Sequence, residues 1–145
     1  MSYAIFTLAR AHRSYAAELL RDLGLHPGQE LLLMQLLDRD GQTQSELLDS
    51  VGLDHSTVSK SLGRMEEAGL LTRLPDEIDK RVLRVRLTRK GLAMRSRIES
   101  MWTELERVSV ANLDASTIES FTKLAARIQR SIVQRNDACI PARAV

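Results

Sequence analysis

The sequence predicts a mainly α protein carrying one small β-hairpin. Three observations predict it. Along most of the chain the apolar residues recur at helical spacing. Aromatics make up only 3% of a chain that is 43% hydrophobic, so the core is built chiefly from Leu, Ile, Val, Ala and Met, residues that favour helix bundles. Between Leu71 and Leu87 the spacing changes to two short strands joined by a polar loop.

Residues 4–23 carry Ile5, Leu8, Ala9, His12, Tyr15, Ala16, Leu19 and Leu23 at helical spacing, and Gly24 and Pro27 bracket the end. Residues 28–38 form a short helix. Its apolar run, Leu31 to Met34 with Leu36 and Leu37, predicts burial on most sides. Asp40-Gly41 marks a turn. Thr43 and Glu46 have capping-box spacing and open a helix to about Ser50. Val51-Gly52-Leu53 makes the next turn, and Asp54 is a good N-cap for the helix that follows. In that helix Val58, Leu62 and Met65 share the inward stripe. His55, Ser56, Ser59, Lys60 and Gly63 fall on the other side, and Gly69 ends it.

Residues 71–74 read as a strand and 75–80 as a polar loop. In 82–87, Leu83, Val85 and Leu87 alternate with Arg84 and Arg86, as in a strand with one wet face. Thr88 caps a long helix carrying Leu92, Ile98, Met101, Trp102, Leu105 and Val108. After a break over 112–115, Ser116 and Glu119 form a second capping-box pattern. The last helix carries Ile118, Phe121, Leu124, Ala125, Ile128 and Ile132, and the tail after Asn136 is expected to be loose.

This order predicts a winged helix-turn-helix that binds DNA. Small polar side chains at the start of the helix after Asp54 suit base edges in a major groove. An arginine near a hairpin tip, Arg81, suits the adjoining minor groove, where narrowing raises the negative potential. A single domain is expected over 1–145. Its DNA-reading unit lies at 27–91, dimerisation helices at 1–24 and 92–135, and a tail at 136–145. The terminal stripes have few partners in so small a chain, and a second copy is the simplest cover.

Net charge is only +2, so its distribution matters more than its size. From Arg73 to Lys90, seven basic residues stand against three acidic ones, and a homodimer presents that patch twice. One cysteine, Cys139, excludes an intrachain disulfide and a cysteine-rich zinc site. His12, His26 and His55 have no metal-ligand spacing. Nothing resembles a nucleophile with its base, a phosphate-cradling glycine loop or paired catalytic carboxylates. No enzyme activity, metal or cofactor is therefore expected. With no apolar run of about 18 residues and no leader pattern, a cytoplasmic protein away from the membrane is the expectation.

Four pieces in order carry a resemblance: Asp54-x-Ser56-Thr57-Val58-Ser59-Lys60, Met65 to Leu71, Asp79-x-Arg81, and Leu87-Thr88-x-x-Gly91. The chain resembles the MarR family of transcription regulators over nearly its whole length. The resemblance implies a homodimer held by its first and last helices. It also implies a roughly palindromic double-stranded operator, and a repressor released by a small molecule or by oxidation. Gly63 departs from the family, which usually has a larger residue there.

The candidate DNA-binding residues are Ser45, His55, Ser56, Thr57, Ser59, Lys60, Arg64, Arg73, Asp79, Lys80, Arg81 and Arg84. Ser56, Thr57 and Lys60 face bases or phosphates by resemblance, and Asp79 holds the Arg81 guanidinium by a salt bridge as the matching pair does in the family. Arg73, Lys80 and Arg84 are read as phosphate contacts, and Ser45 sits where backbone amides suit a phosphate. Arg86 could equally be a solvated strand face. A small aromatic or apolar effector is expected near His12, Tyr15, Met34 and Trp102, although core packing is the plainer reading of each and His12 reads as a satisfied buried histidine. The family's thiol sensors place cysteine in the first helix, so Cys139 is read as inert. Two rival functions remain: a winged-helix protein-interaction module, and a non-specific architectural DNA binder without an effector.

Overall fold

The computed structural model describes residues 1–139, with side chains through 135. They form ten elements: α1 (Ser2–Asp22), α2 (Gln29–Asp38), β1 (Gln42–Thr43), α3 (Gln44–Val51), α4 (His55–Glu67), β2 (Leu71–Pro75), β3 (Leu83–Leu87), α5 (Arg89–Leu92), α6 (Met94–Ser109) and α7 (Ala115–Cys139). The chain divides into two compact units, residues 1–106 and 107–145. The buried core of the first unit runs past residue 91. Met94, Ile98 and Met101 of α6 and Leu20 of α1 are buried in the same core as α2, α3, α4 and the sheet, so both helices also serve the core.

That core is aliphatic. Leu32, Leu33 and Leu36 of α2, Leu47 of α3, and Val58, Leu62 and Met65 of α4 are fully buried, and Leu71 and Val85 close it from the sheet. Burying such side chains supplies about 1.5–3 kcal/mol each, offset by lost chain entropy. The core reaches only the C-terminal part of α1, where Leu20 is buried and Leu19 and Leu23 pack on it. The expected stripe on the N-terminal half is exposed: Ile5 at 42%, Leu8 at 52%. His12 lies on that half and is exposed, contrary to the buried-histidine reading. Met34, on the open side of α2, is also exposed.

The sheet has the antiparallel order β1-β3-β2. Leu71 pairs with Leu87 and Pro75 with Leu83, while Thr43 pairs with Arg84. Strand β1 was not expected, since two polar residues carry no strand pattern. It is fixed instead by the buried Gln42, whose amide donates to the carbonyls of Gln35 (2.9 Å) and Arg39 (2.7 Å). β2 runs one residue further than expected because it is an edge strand, where a terminal proline costs no ladder bond.

Two further boundaries differ from expectation. Thr88 caps only the short α5, because the long helix is interrupted at Ala93, and Leu92 is exposed rather than on its inward stripe. The cap of α7 is Asp114 rather than Ser116. Its Oδ1 accepts from the Thr117 amide at 2.7 Å and the Ser116 hydroxyl at 2.9 Å, and a carboxylate outcompetes a hydroxyl for orphan amides. Helix α7 then continues to Cys139, four residues into the expected tail. Residues 140–145 lie outside the described residues.

Candidate nucleic-acid interface

Two caps set the helix-turn-helix. Thr43 Oγ1 accepts from the Glu46 amide at 3.2 Å, and Glu46 Oε2 accepts from the Thr43 amide at 2.7 Å, so the expected capping box opens α3. Gly52 closes α3 at φ 65°, a left-handed turn that side chains resist. Asp54 then caps α4, accepting from the Thr57 amide at 2.9 Å and the Thr57 hydroxyl at 2.5 Å. The Thr57 side-chain and backbone bonds hold the Asp54 carboxyl below the usual carboxylate range.

With Val58, Leu62 and Met65 buried, the opposite face of α4 is turned out. His55, Ser56, Lys60 and Arg64 are exposed there, and Ser59 is half-buried. Thr57 is half-buried and its hydroxyl proton is spent on Asp54, so it is a cap partner before it is a reader. Ser45 is exposed in the first turn of α3. Gln44, which sequence reasoning missed, places Nε2 3.3 Å from Nε2 of His55, joining the first turns of α3 and α4. Only the fold brings these two residues together, so no local pattern could have named Gln44.

The hairpin β2–β3 projects the wing loop. Lys80 and Arg81 are exposed, and neither has an ion-pair partner among the described residues. Asp79 does not grip the Arg81 guanidinium. Its Oδ1 accepts the Arg81 backbone amide at 3.0 Å, a local turn contact that leaves the side chain free. Arg73 is not free either. Glu66 Oε2 accepts its Nε at 2.8 Å and its Nη2 at 2.5 Å, and Glu66 Oε1 accepts its amide at 3.0 Å, which docks β2 on α4. These bonds hold the Glu66 carboxyl below its usual range. Arg84 is likewise occupied, by Asp76, Gly41 and Glu46. The phosphate contacts expected at Arg73 and Arg84 therefore meet side chains already committed to carboxylates. Glu66 and Asp76 lie seven and eight residues from their arginines, a spacing no helix or strand rule singles out.

Within the first unit a shallow groove runs between α1 and α6, lined by Leu19, Asp22, Leu23, Ser96, Arg97, Ser100 and Met101. It lies on the two helices where an effector was expected, but none of the four named residues lines it. Tyr15 donates its hydroxyl to Glu104 Oε1 at 3.3 Å, and half-buried Trp102 packs on the core with its Nε1–H unpaired among the described residues. No described group of three or more His, Cys, Asp or Glu could hold a metal ion, and no described helix is long and apolar enough to cross a membrane.

The sequence pattern of the MarR family matches residues 23–82. The chain is 25% identical over 125 residues to the uncharacterised HTH-type transcriptional regulator YybA of Bacillus subtilis (strain 168), spanning 86% of this chain and 83% of that one. Among solved structures, the PcaV transcriptional regulator from Streptomyces coelicolor superposes with TM-score 0.83 at 26% identity, covering 92% of this chain and 97% of that chain. A mutant MarR from E. coli, solved with operator DNA, superposes with TM-score 0.78 at 23% identity, covering 88% and 91%.

Proposed function

We propose that this chain, which belongs to the MarR family of transcription regulators, is a homodimeric repressor of a roughly palindromic double-stranded operator, acting in the cytoplasm and released by a small apolar or aromatic effector. One observation carries the DNA reading. The exposed face of α4, the first turn of α3 and the free cations of the wing belong to one packed unit that the three-stranded sheet ties together. In this reading Ser56, Ser59 and Lys60 enter the major groove, with His55 and Gln44 beside them. Arg64 and Ser45 meet phosphates, and Lys80 and Arg81 meet the minor groove and its edges.

The second copy is argued from uncovered apolar surface. Tyr3, Ile5, Phe6 and Leu8 of α1 are exposed, and α7 by itself exposes Phe121, Leu124, Ile132 and Val133. Such surface marks a protein contact. Twofold pairing sets two α4 helices about 34 Å apart, one turn of DNA.

The test joins two measurements. Sedimentation at micromolar concentration should give twice the 16.3 kDa chain mass. A gel shift on DNA upstream of the chain's own coding sequence should survive an excess of random duplex. A folded monomer defeats the dimer, equal competition by random DNA makes the chain an architectural binder, and no shift at all leaves the protein-interaction reading.

A further inference from the structure

We propose that Arg84 is a strut that positions the wing tip, holding the loop that carries Lys80 and Arg81 against the opening of α3; the inference rests on the DNA-reading function proposed above. A continuous chain of bonds runs from one to the other. At the tip, a single carboxylate works in two directions. Asp76 Oδ1 accepts the amides of Ile78 (2.9 Å) and Asp79 (3.1 Å), which folds the loop, and Asp76 Oδ2 accepts Arg84 Nε. The Asp76 amide donates to the Val82 carbonyl at 2.8 Å, and the Val82 amide to the Asp79 carbonyl at 3.0 Å, which closes the loop. At the other end Arg84 Nη1 donates to the Gly41 carbonyl at 3.1 Å and lies 3.8 Å from Glu46 Oε2. Glu46 is itself fixed as the capping partner of Thr43.

One guanidinium therefore joins three segments: the wing loop, the turn before β1, and the first turn of α3. A planar fork can do this; an ammonium, a point charge on a flexible stem, cannot hold three directions at once. Asp76 is only 13% exposed at its side chain, so the tip is held from the inside. The Arg84 bond and the two loop amides keep the Asp76 carboxyl well below the usual range, and the same pairing raises Arg84. The bonds that shape the tip leave Lys80 and Arg81 outward. Arg84 thus acts on DNA through Arg81.

A double-mutant cycle tests this on duplex DNA from upstream of the chain's own coding sequence, comparing wild type, Arg81→Ala, Arg84→Ala and the double variant. Arg84→Ala should weaken binding as much as Arg81→Ala does, roughly tenfold, and the double variant should match Arg81→Ala alone to within about twofold. Arg84→Lys should not rescue, because it keeps the charge and loses the fork. In the free protein, Arg84→Ala should speed amide exchange at Ile78, Asp79 and Val82 and leave α4 unchanged.

Additive losses, with the salt slope falling by about one unit when Arg84→Ala is added to Arg81→Ala, would make Arg84 a phosphate contact and overturn the strut. Rescue by lysine would do the same. Unchanged exchange at the loop amides, or global unfolding of Arg84→Ala, would reduce Arg84 to a fold contact and also overturn it. If wild type does not prefer this duplex to random DNA, the proposed function fails, and the exchange measurement on the free protein still decides the strut.

Discussion

A Cβ on Gly91 would run into the Leu70 carbonyl, which already accepts the Thr88 amide at 3.0 Å and the Thr88 hydroxyl at 3.2 Å, and would press on Leu87 Cδ2. Helix α5 meets the root of the hairpin there by close backbone approach. Gly91→Ala should therefore lose about 2 kcal/mol or more in urea unfolding, since the obstacle is backbone rather than a flexible side chain. Gly63 is the opposite case. Nothing lies within 4 Å of the Cβ it would gain, so Gly63→Ala should add about 1 kcal/mol of stability through helix propensity alone. If Gly63→Ala destabilises the protein, its space is not free. The chain's pattern named both glycines, but only the fold separates them: one fills a contact and the other borders open space. The charged residues divide in the same way. Lys60, Arg64 and Arg81 were legible as exposed cations because local pattern decides exposure. The carboxylate partners of Arg73 and Arg84 were not legible, because they arrive across a turn and a hairpin, and sequence spacing does not report such encounters.

At the scale of elements, local chemistry decided what could be read. The starts of α3 and α4 were legible because Thr43, Glu46 and Asp54 each make their capping bonds within three residues. The start of α7 was misplaced because a capping-box pattern at Ser116 competes with a carboxylate two residues earlier, and the interruption at Ala93 was invisible because its dihedrals, φ −67° and ψ −12°, remain helical. These caps also set an acid limb. Glu46, Asp54, Glu66, Asp76 and Asp114 are held below their ordinary values of 4.5 for Glu and 3.8 for Asp by the hydrogen bonds they accept. Near those values the native state binds fewer protons than the unfolded chain. Their stabilisation is therefore complete above the ordinary values and is lost as pH falls through and below them. Glu30 runs the other way: burial raises it, so its contribution is full below 4.5 and fades as pH rises through the raised value. The five carboxylates outnumber it, and the midpoint of urea unfolding should fall steadily once pH drops below about 4.5. Asp54→Asn keeps a capping oxygen but cannot titrate, so it should make that decline shallower. An unchanged acid limb in Asp54→Asn would mean that its charge adds nothing to the cap.

For the whole molecule the question is what a signal could move. Groups fixed to α4 and the wing are proposed to read DNA, whereas the groove between α1 and α6 lies on helices that share the core of that unit and carry exposed apolar side chains beyond it. A ligand seated there touches the support of the reading unit and lies on α1, whose other end carries apolar surface proposed to meet a second copy. It can therefore favour one spacing of the two α4 helices over another, and it releases DNA only in proportion to its differential affinity for those spacings. The lining suggests the chemistry. Leu19, Leu23 and Met101 offer an apolar wall, Ser96 and Ser100 offer hydroxyls, and Arg97 offers the fork that pairs with a carboxylate. An aromatic acid matches all three, and benzoate is a simple probe. Rising benzoate should release operator DNA from the wild type, and Arg97→Ala should need about tenfold more, the cost of losing one charge-assisted pair. Asp22 also faces the groove and opposes an anion, so Asp22→Asn should respond at lower benzoate. Release by benzoate that is indifferent to both substitutions would place the effector elsewhere. Release by peroxide in the wild type but not in Cys139→Ser would make the thiol the sensor, and the groove would then be only a seam between two helices.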